Sequence, residues 1–511
     1  MIKLGGSAGS ALFNFVLVVI LSRELKASEA GAFFEAIAAF LILSSVAQLG
    51  ADIGVLRMIS RHRALGHIKD LSRTMVIALV PTLVLGSLFG FLVWTYADDI
   101  AAIVAHGPHT AAAAQYMRYL APFLPVFAVA EIALAGIRGF GSVLPIVIID
   151  DLGTPALRPI LAFFALSLGL GSLALALAWG LPLAIGGAAA LILLGRLLRH
   201  ENQRRLGDGS VEETSLGALA ASFWRFSSAR ALADVFSTSV TWLDILLIGA
   251  FATTGQAGVY AAASRFLLVG TLALSATILV ISPYISACLA RNDLSSARNI
   301  FQTSTWWVMS VSWPTYILVA LFSRLFLSVF GGQFTAGHTA LTILALAQLV
   351  NMATGPVSAV LLMAGYSAWN MANAFAALLV NIGLNAYLIP RYGMNGAAVA
   401  FAASIIVKNV SALVEVWVLL GLEPFGKGFL VVVVATTFSF GVWGAAVKTF
   451  LHGDVAALAL TLVVSVPLYL FIIWRQRETL QIGMFREALL WRARRRDARD
   501  DPDELAGLTA Q

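Results

Sequence analysis

"SEAGAFFEAIAAFL" at 28–41 and "GQAGVYAAASRFLL" at 255–268 share one pattern: a polar residue, Ala-Gly, an aromatic two positions on, then an apolar run. A second pair, "GLGSLALA" (169–176) and "GMNGAAVA" (393–400), lies at nearly the same offset. Each stretch opens an apolar run long enough to cross a bilayer of about 30 Å. Small residues recurring at helix starts would give similar matches by chance. The shared offset points instead to a duplicated unit. The matches open spans two and eight, and spans six and twelve. A unit of six spans has an even count, so its two copies share one orientation, related by an axis along the membrane normal.

Composition fits this reading. Of 511 residues, 59% are hydrophobic and 12% charged, whereas soluble domains are about half apolar and a quarter charged. The hydrophobic runs give about fourteen spans. They lie near 7–22, 30–55, 74–96, 114–137, 143–168, 171–195, 218–250, 257–284, 301–326, 337–364, 368–389, 395–420, 428–449 and 455–474. A transmembrane barrel would show short alternating segments instead. The first span runs into Ser22-Arg23-Glu24 without a small-residue cleavage site. It is therefore read as retained, and its shortness leaves an upstream start open.

The expected fold is an all-α integral membrane protein. Residues 1–205 form an N-terminal six-helix lobe and 206–422 a second, parallel lobe. Residues 423–475 hold helices 13 and 14, and 476–511 form a basic amphipathic tail on anionic lipid. Two parallel lobes with a cleft between them describe a transporter that works by alternating access. Lys and Arg cluster after the even-numbered spans, for example Arg57, Arg61, Arg63, Lys69 and Arg73, while 97–113 contains neither. Those basic loops, and both termini, are therefore expected on the cytoplasmic side.

Several function classes drop out. A lone Cys288 excludes an intrachain disulfide and a cysteine metal cluster. The seven histidines lie in expected loops or at helix ends, which argues against histidine-ligated metal at membrane depth. The net charge of +6 is what basic cytoplasmic loops produce, so no nucleic-acid partner is expected. There is no glycine-rich phosphate loop ending in Lys-Ser/Thr, so no ATPase. The expectation is a non-enzyme.

Particular residues carry a family likeness. The N-terminal part has Arg23-Glu24-Leu25, Glu29-Ala30-Gly31 with Phe33, and Leu49-Gly50-Ala51-Asp52 followed by Arg57. The second half has Leu243-Asp244, Leu246-Leu247-Ile248-Gly249, Gly258-Val259-Tyr260 and Arg265. Later come Phe330-Gly331-Gly332-Gln333-Phe334 and "LIPRYGMNGAAVA" (388–400). Over residues 5–475 the chain resembles the Wzx-type polysaccharide flippases of the multidrug/oligosaccharidyl-lipid/polysaccharide exporter superfamily. The resemblance implies a fourteen-helix flippase of the bacterial plasma (inner) membrane. Its cargo would be an undecaprenyl-pyrophosphate-linked oligosaccharide for O-antigen, capsule or exopolysaccharide. It implies contacts with membrane lipids, and partners among polymerase and other polysaccharide-assembly proteins. Spans 13 and 14 would be an appendage, either a lipid-tail groove or a scaffold pair.

Charges at membrane depth are the candidate site, because such charges are costly and by default functional. Arg118, Arg158, Arg230, Arg265 and Lys408 are the expected substrate-binding cations, since guanidinium forks suit phosphate oxygens. Asp151, Asp234 and Asp244 are expected to pair with them or to carry a coupling H⁺ or Na⁺. No other cofactor and no metal is expected. On "IIDDLGTPALRP" (148–159), Asp151 and Arg158 share one helical face two turns apart. Pro155 removes a backbone donor and clashes with the Asp151 carbonyl, so a hinge is expected there, with Asp151 holding Arg158. Asn370, Asn373, Asn381 and Asn385 stripe span eleven, for interhelical hydrogen bonds or for sugar contact. The rivals are a lipid II flippase, a cation-coupled multidrug exporter of the same superfamily and, in another class, an integral-membrane glycosyltransferase or polymerase.

Overall fold

The computed structural model describes residues 2–107, 109–204 and 215–480, and every regular element among them is a helix. Eleven helices are long and apolar enough to cross a membrane. The pair Thr110–Leu120 and Phe123–Gly139, bent by 49°, makes a twelfth if it counts as one span. Length and apolarity therefore give eleven or twelve spans where the sequence suggested fourteen. The two shortfalls have separate causes. The expected span 143–168 is divided into Leu144–Ile146, a π turn Val147–Gly153 and Thr154–Ser167. The expected span 301–326 falls mostly in Leu294–Leu321, which is long enough but diluted by Ser304, Thr305, Trp306, Trp307, Ser310, Ser312, Trp313 and Thr315. The tail 481–511 lies outside the described residues.

One expected span is shorter than its hydropathy. The run 30–55 stops as a helix at Gln48, because Leu49 (φ 52°) and Gly50 (φ 65°) both turn left-handed before Ala51–Leu65 starts. Glycine is needed at 50: a Cβ there would lie 2.6 Å from the Ser227 carbonyl oxygen. Leu216–Phe251, at 36 residues, is about 54 Å long and extends well past a hydrocarbon core of about 30 Å.

Contacts divide the chain into two compact units. One comprises Met1–Leu272, Ser323–Gln348 and Tyr366–Ala412. Within it, the two copies of the opening motif meet: helix Ala27–Gln48 packs on helix Thr254–Ser264. A Cβ on Gly31 would overlap the Thr254 carbonyl, and a Cβ on Gly258 would overlap the Ala27 carbonyl. Ala27 matches Thr254, and Gly31 matches Gly258, at the repeat offset. The contact is thus reciprocal, the signature of a local two-fold relation. Small residues let the backbones approach, and Phe33 and Tyr260 are buried at the same joint.

The other unit comprises Ala273–Phe322, Leu349–Gly365 and Leu413–Gln511. The Trp306 ring lies against Gly428, with Nε1 donating to the Pro424 carbonyl at 3.2 Å. The last two spans pack together. One contains a π turn, Thr437–Val442, and in the other Tyr469 donates to the Ser310 carbonyl at 2.8 Å.

Candidate functional site

Asp244 lies about two turns from the end of the long helix Leu216–Phe251 and is 1% exposed. Its carboxylate accepts from Tyr260 Oη (2.8 Å), Asn381 Nδ2 (2.9 Å) and Asn385 Nδ2 (2.8 Å). Tyr260 comes from the second copy of the opening motif. Asn381 and Asn385, one turn apart on Ser367–Tyr392, also bond each other at 3.0 Å. All of these partners are neutral, and among the described residues no cation touches Asp244. Asn385 Oδ1 is buried without a hydrogen bond. A buried ionised carboxylate held only by neutral groups is costly. A proton on the carboxyl, or a small hard cation among the carboxylate, amide and phenol oxygens, would remove that cost.

This cluster combines two features that the sequence offered separately. Asp244 was a candidate for ion coupling. The asparagine stripe on span eleven is read from the sequence as interhelical bonding or sugar contact. The four-residue spacing of Asn381 and Asn385 was the available signal. Nothing local ties either residue to position 244.

A second buried carboxylate, Glu35 on Ala27–Gln48, is fully buried, with neither oxygen hydrogen-bonded. It lies so close to Gly249 that a Cβ there would overlap Oε1. From the sequence Glu35 is assigned no role, although an acid inside an apolar run is the kind of signal that marks such a site.

Three of the expected cations share a pattern. Arg158 lies over the Trp179 ring at 4.3 Å and donates Nε to the Trp179 carbonyl at 3.3 Å. Arg265 lies over Trp242 at 4.9 Å and donates Nε to the Ala261 carbonyl at 3.2 Å. Lys408, in the middle of Met394–Leu420, has no hydrogen bond or ion pair among the described residues. All three are half-buried, and none is ion-paired with a carboxylate. Arg118 instead holds Asp98, in the first turn of Ala97–Val104, at 2.7 Å. Asp234 is half-buried on Leu216–Phe251. Arg230 is on the same helix, and its side chain lies outside the described residues.

The expected Asp151–Arg158 pair is not formed. Asp151 is taken by Lys3 of the first helix, at 2.8 Å to each carboxylate oxygen. The reason is the π turn at Val147–Gly153. It winds more residues per turn than an α-helix, so a face computed for regular helix does not carry across it. Thr154 bridges the break, directing both its N–H and its hydroxyl (3.0 Å) to the Ile149 carbonyl. Pro155 lies in the first turn of the following helix, where proline is tolerated. Gly153 is the tighter constraint, since a Cβ there would be 2.7 Å from the Ile148 carbonyl oxygen. Gly153→Ala is therefore expected to lower stability by about 1–3 kcal/mol, and Pro155→Ala by much less. Thermal unfolding of both purified variants checks this, and the reverse ranking would return the hinge to Pro155.

Beside Arg158, on the same helix, Pro159, Ile160 and Phe163 face Leu12, Phe13 and Val16 of Ile2–Glu24 across an open apolar groove. A cation and an apolar groove on one helix match the two ends of a lipid phosphate.

Comparisons with known proteins agree with this picture. Residues 214–336 match a family described as polysaccharide biosynthesis protein, and residues 7–164 match the family described as MatE. The probable low-salt glycan biosynthesis flippase Agl15 of Haloferax volcanii is 28% identical over 195 residues, 37% of this chain and 41% of that protein. The match thus spans less than half of that relative's length. Among solved structures, the lipid II flippase MurJ in an inward closed conformation aligns with a TM-score of 0.72 at 14% identity, over 94% of this chain and 100% of that one. An inward-facing multidrug resistance MATE transporter of the MOP superfamily aligns at 0.64 and 14% identity, over 84% of this chain and 95% of that one. At these identities the likeness is one of fold.

Proposed function

We propose that this chain, which has the fold of the multidrug/oligosaccharidyl-lipid/polysaccharide exporter (MOP) superfamily, is a flippase for a lipid-linked oligosaccharide. The observation that carries this reading is the set Arg158, Arg265 and Lys408: cations at membrane depth, braced by tryptophan faces and carbonyls or left without a partner, and not ion-paired with carboxylates. Such groups are uncommitted donors for a phosphate-bearing headgroup. The match to a polysaccharide biosynthesis family favours glycan cargo over drug export.

In this reading the two repeats are lobes, 1–205 and 206–422, that rock around the cargo, and 423–475 is an appendage. The cations take the pyrophosphate of an undecaprenyl-type carrier. The Asp244 cluster takes the coupling ion, H⁺ or Na⁺. The chain lies in a bacterial plasma membrane with both termini in the cytoplasm and supplies repeat units to a polymerase.

Reconstituted into liposomes, the parent chain should move a fluorescent lipid-linked oligosaccharide between leaflets. Arg158→Ala and Lys408→Ala should each reduce the rate at least about tenfold, at parental levels of inserted protein, as loss of a charge-assisted contact predicts. Parental rates in both would remove these cations from the cargo path. Orientation has its own test. With Cys288→Ala as background, Ala64→Cys should label only from the cytoplasmic side and His106→Cys only from the opposite side. Labelling of both from one side would overturn the arrangement.

A further inference from the structure

The turn "HRALGHIKD" (62–70) has no part in the transport reading, and its geometry is independent of it. Helix Ala51–Leu65 ends at Gly66, whose left-handed φ of 77° lets its N–H reach the carbonyls of Arg63 and His62. The His67 N–H then bonds the His62 carbonyl at 2.9 Å. This is a Schellman-type stop, and it fixes the two histidines relative to each other. The next helix, Ile68–Thr95, brings Asp70 round in its first turn.

The side chains converge. One donor atom from each of His62, His67 and Asp70 lies within 4.8 Å of the others. His67 Nδ1 is 3.5 Å from Asp70 Oδ2, and the two imidazoles lie 6.0 Å apart at 28°. Nitrogen and oxygen ligands at about 2.0–2.1 Å from one tetrahedral ion are about 3.4 Å apart, so the His67–Asp70 edge is already at ligand spacing. His62 is 5% exposed, and neither ring nitrogen has a hydrogen-bond partner. A buried imidazole left wholly unsatisfied is uncommon and costly, and a bound ion would satisfy it.

We propose that His62, His67 and Asp70 form a binding site for a borderline first-row divalent cation, Zn²⁺ before others. Two imidazoles and one carboxylate suit such an ion better than Mg²⁺ or Ca²⁺, which favour all-oxygen sets. Three protein ligands leave a fourth position for water or another donor. The ion clamps the end of one helix to the start of the next. The surrounding charge is mostly basic. Arg63 is engaged by the Phe140 carbonyl at 2.9 Å and by Glu201 at 3.8 Å. Arg73 leans on Asp70 at 3.7 Å and is the group the ion displaces. Half-exposed His67 supplies the remaining closure.

The test uses the full chain purified in detergent and stripped with EDTA, with the metal alone as probe. Calorimetric titration should show about one tight Zn²⁺ per chain, and Co²⁺ in its place should give visible d–d bands of an N/O site. His62→Ala and His67→Gln should each weaken binding by about 100-fold, and Asp70→Asn by about tenfold or more, since loss of even an outer-shell partner costs about 10–100-fold. His452→Ala, at an exposed histidine elsewhere, should bind as the parent does. Absence of stoichiometric binding by the parent overturns the proposal, and so does unchanged affinity in His67→Gln. His67 lies at the turn surface, so its variant decides the matter even if His62→Ala does not fold.

Discussion

Gly31→Leu and Gly258→Leu should each yield no folded, monodisperse protein, and even the alanine variants should melt far below the parent. The two helices cross so closely that a Cβ on either glycine would overlap a backbone carbonyl of the other helix. A carbonyl cannot rotate aside as a side-chain tip can, so the helices must separate. Overpacking of this kind costs about 1–3 kcal/mol for modest additions and more when backbone must move. Separation here would also disturb Phe33 and Tyr260, both buried at the joint. Gly383, within Ser367–Tyr392, is the control. A Cβ there meets nothing within 4 Å, so Gly383→Ala should be neutral or stabilise by up to about 1 kcal/mol through helix propensity. Size-exclusion profiles and thermal unfolding in detergent give the comparison. Equal melting of Gly31→Ala and Gly383→Ala would show that the crossing is looser than described.

Asp244 should divide shape from charge. Asp244→Leu leaves the Tyr260 hydroxyl and the Asn381 and Asn385 amides facing apolar surface. Each orphaned buried donor costs about 1–3 kcal/mol, so this variant should be severely destabilised. Asp244→Asn keeps the shape and a hydrogen-bonding oxygen. It should fold, yet lose most transport if the cluster carries the coupling ion. The decisive measurement is stability against ion concentration. A ligand that binds only the folded state stabilises by about 2.7 kcal/mol at 100 times its dissociation constant. The parent should therefore gain thermal stability as Na⁺ is raised, or as pH is lowered, and Asp244→Asn should respond to neither. If the parent too were indifferent to both, the cluster would be interhelical glue.

The positions of apolar runs were legible because a bilayer imposes length and hydropathy directly on the chain. The interruptions were not. Nothing in "AQLGADIG" marks Leu49 as left-handed, and the backbone that Gly50 lies against, at Ser227, is distant in sequence. In "IDDLGTP" the glycine and proline announced a break. Its form, a widened turn bonded through Thr154, depends on how the turn repairs its own hydrogen bonds. The same holds for partners. Asp244 stood out as a charge in an oily helix, but Asn381 and Asn385 reach it only through packing of distant helices. Lys3, at the chain's beginning, gave no hint that it would take Asp151 from Arg158. Charges could be read from the sequence, but which charges are neutralised could not.

The reciprocal glycine joint also sets an order on the making of the protein. The atoms nearest a Cβ at Gly31 come from Thr254 and Gly258. At translation rates of about 5–20 residues per second, the first helix of the pair waits roughly ten to forty-five seconds in the bilayer with its cut-away face unfilled. During that interval a nascent neighbour offers the same complementary surface, since each copy of the motif fits the other. A joint whose two halves are made so far apart in time can close only after the second is in the bilayer, so this contact is a late step in the assembly of the fold.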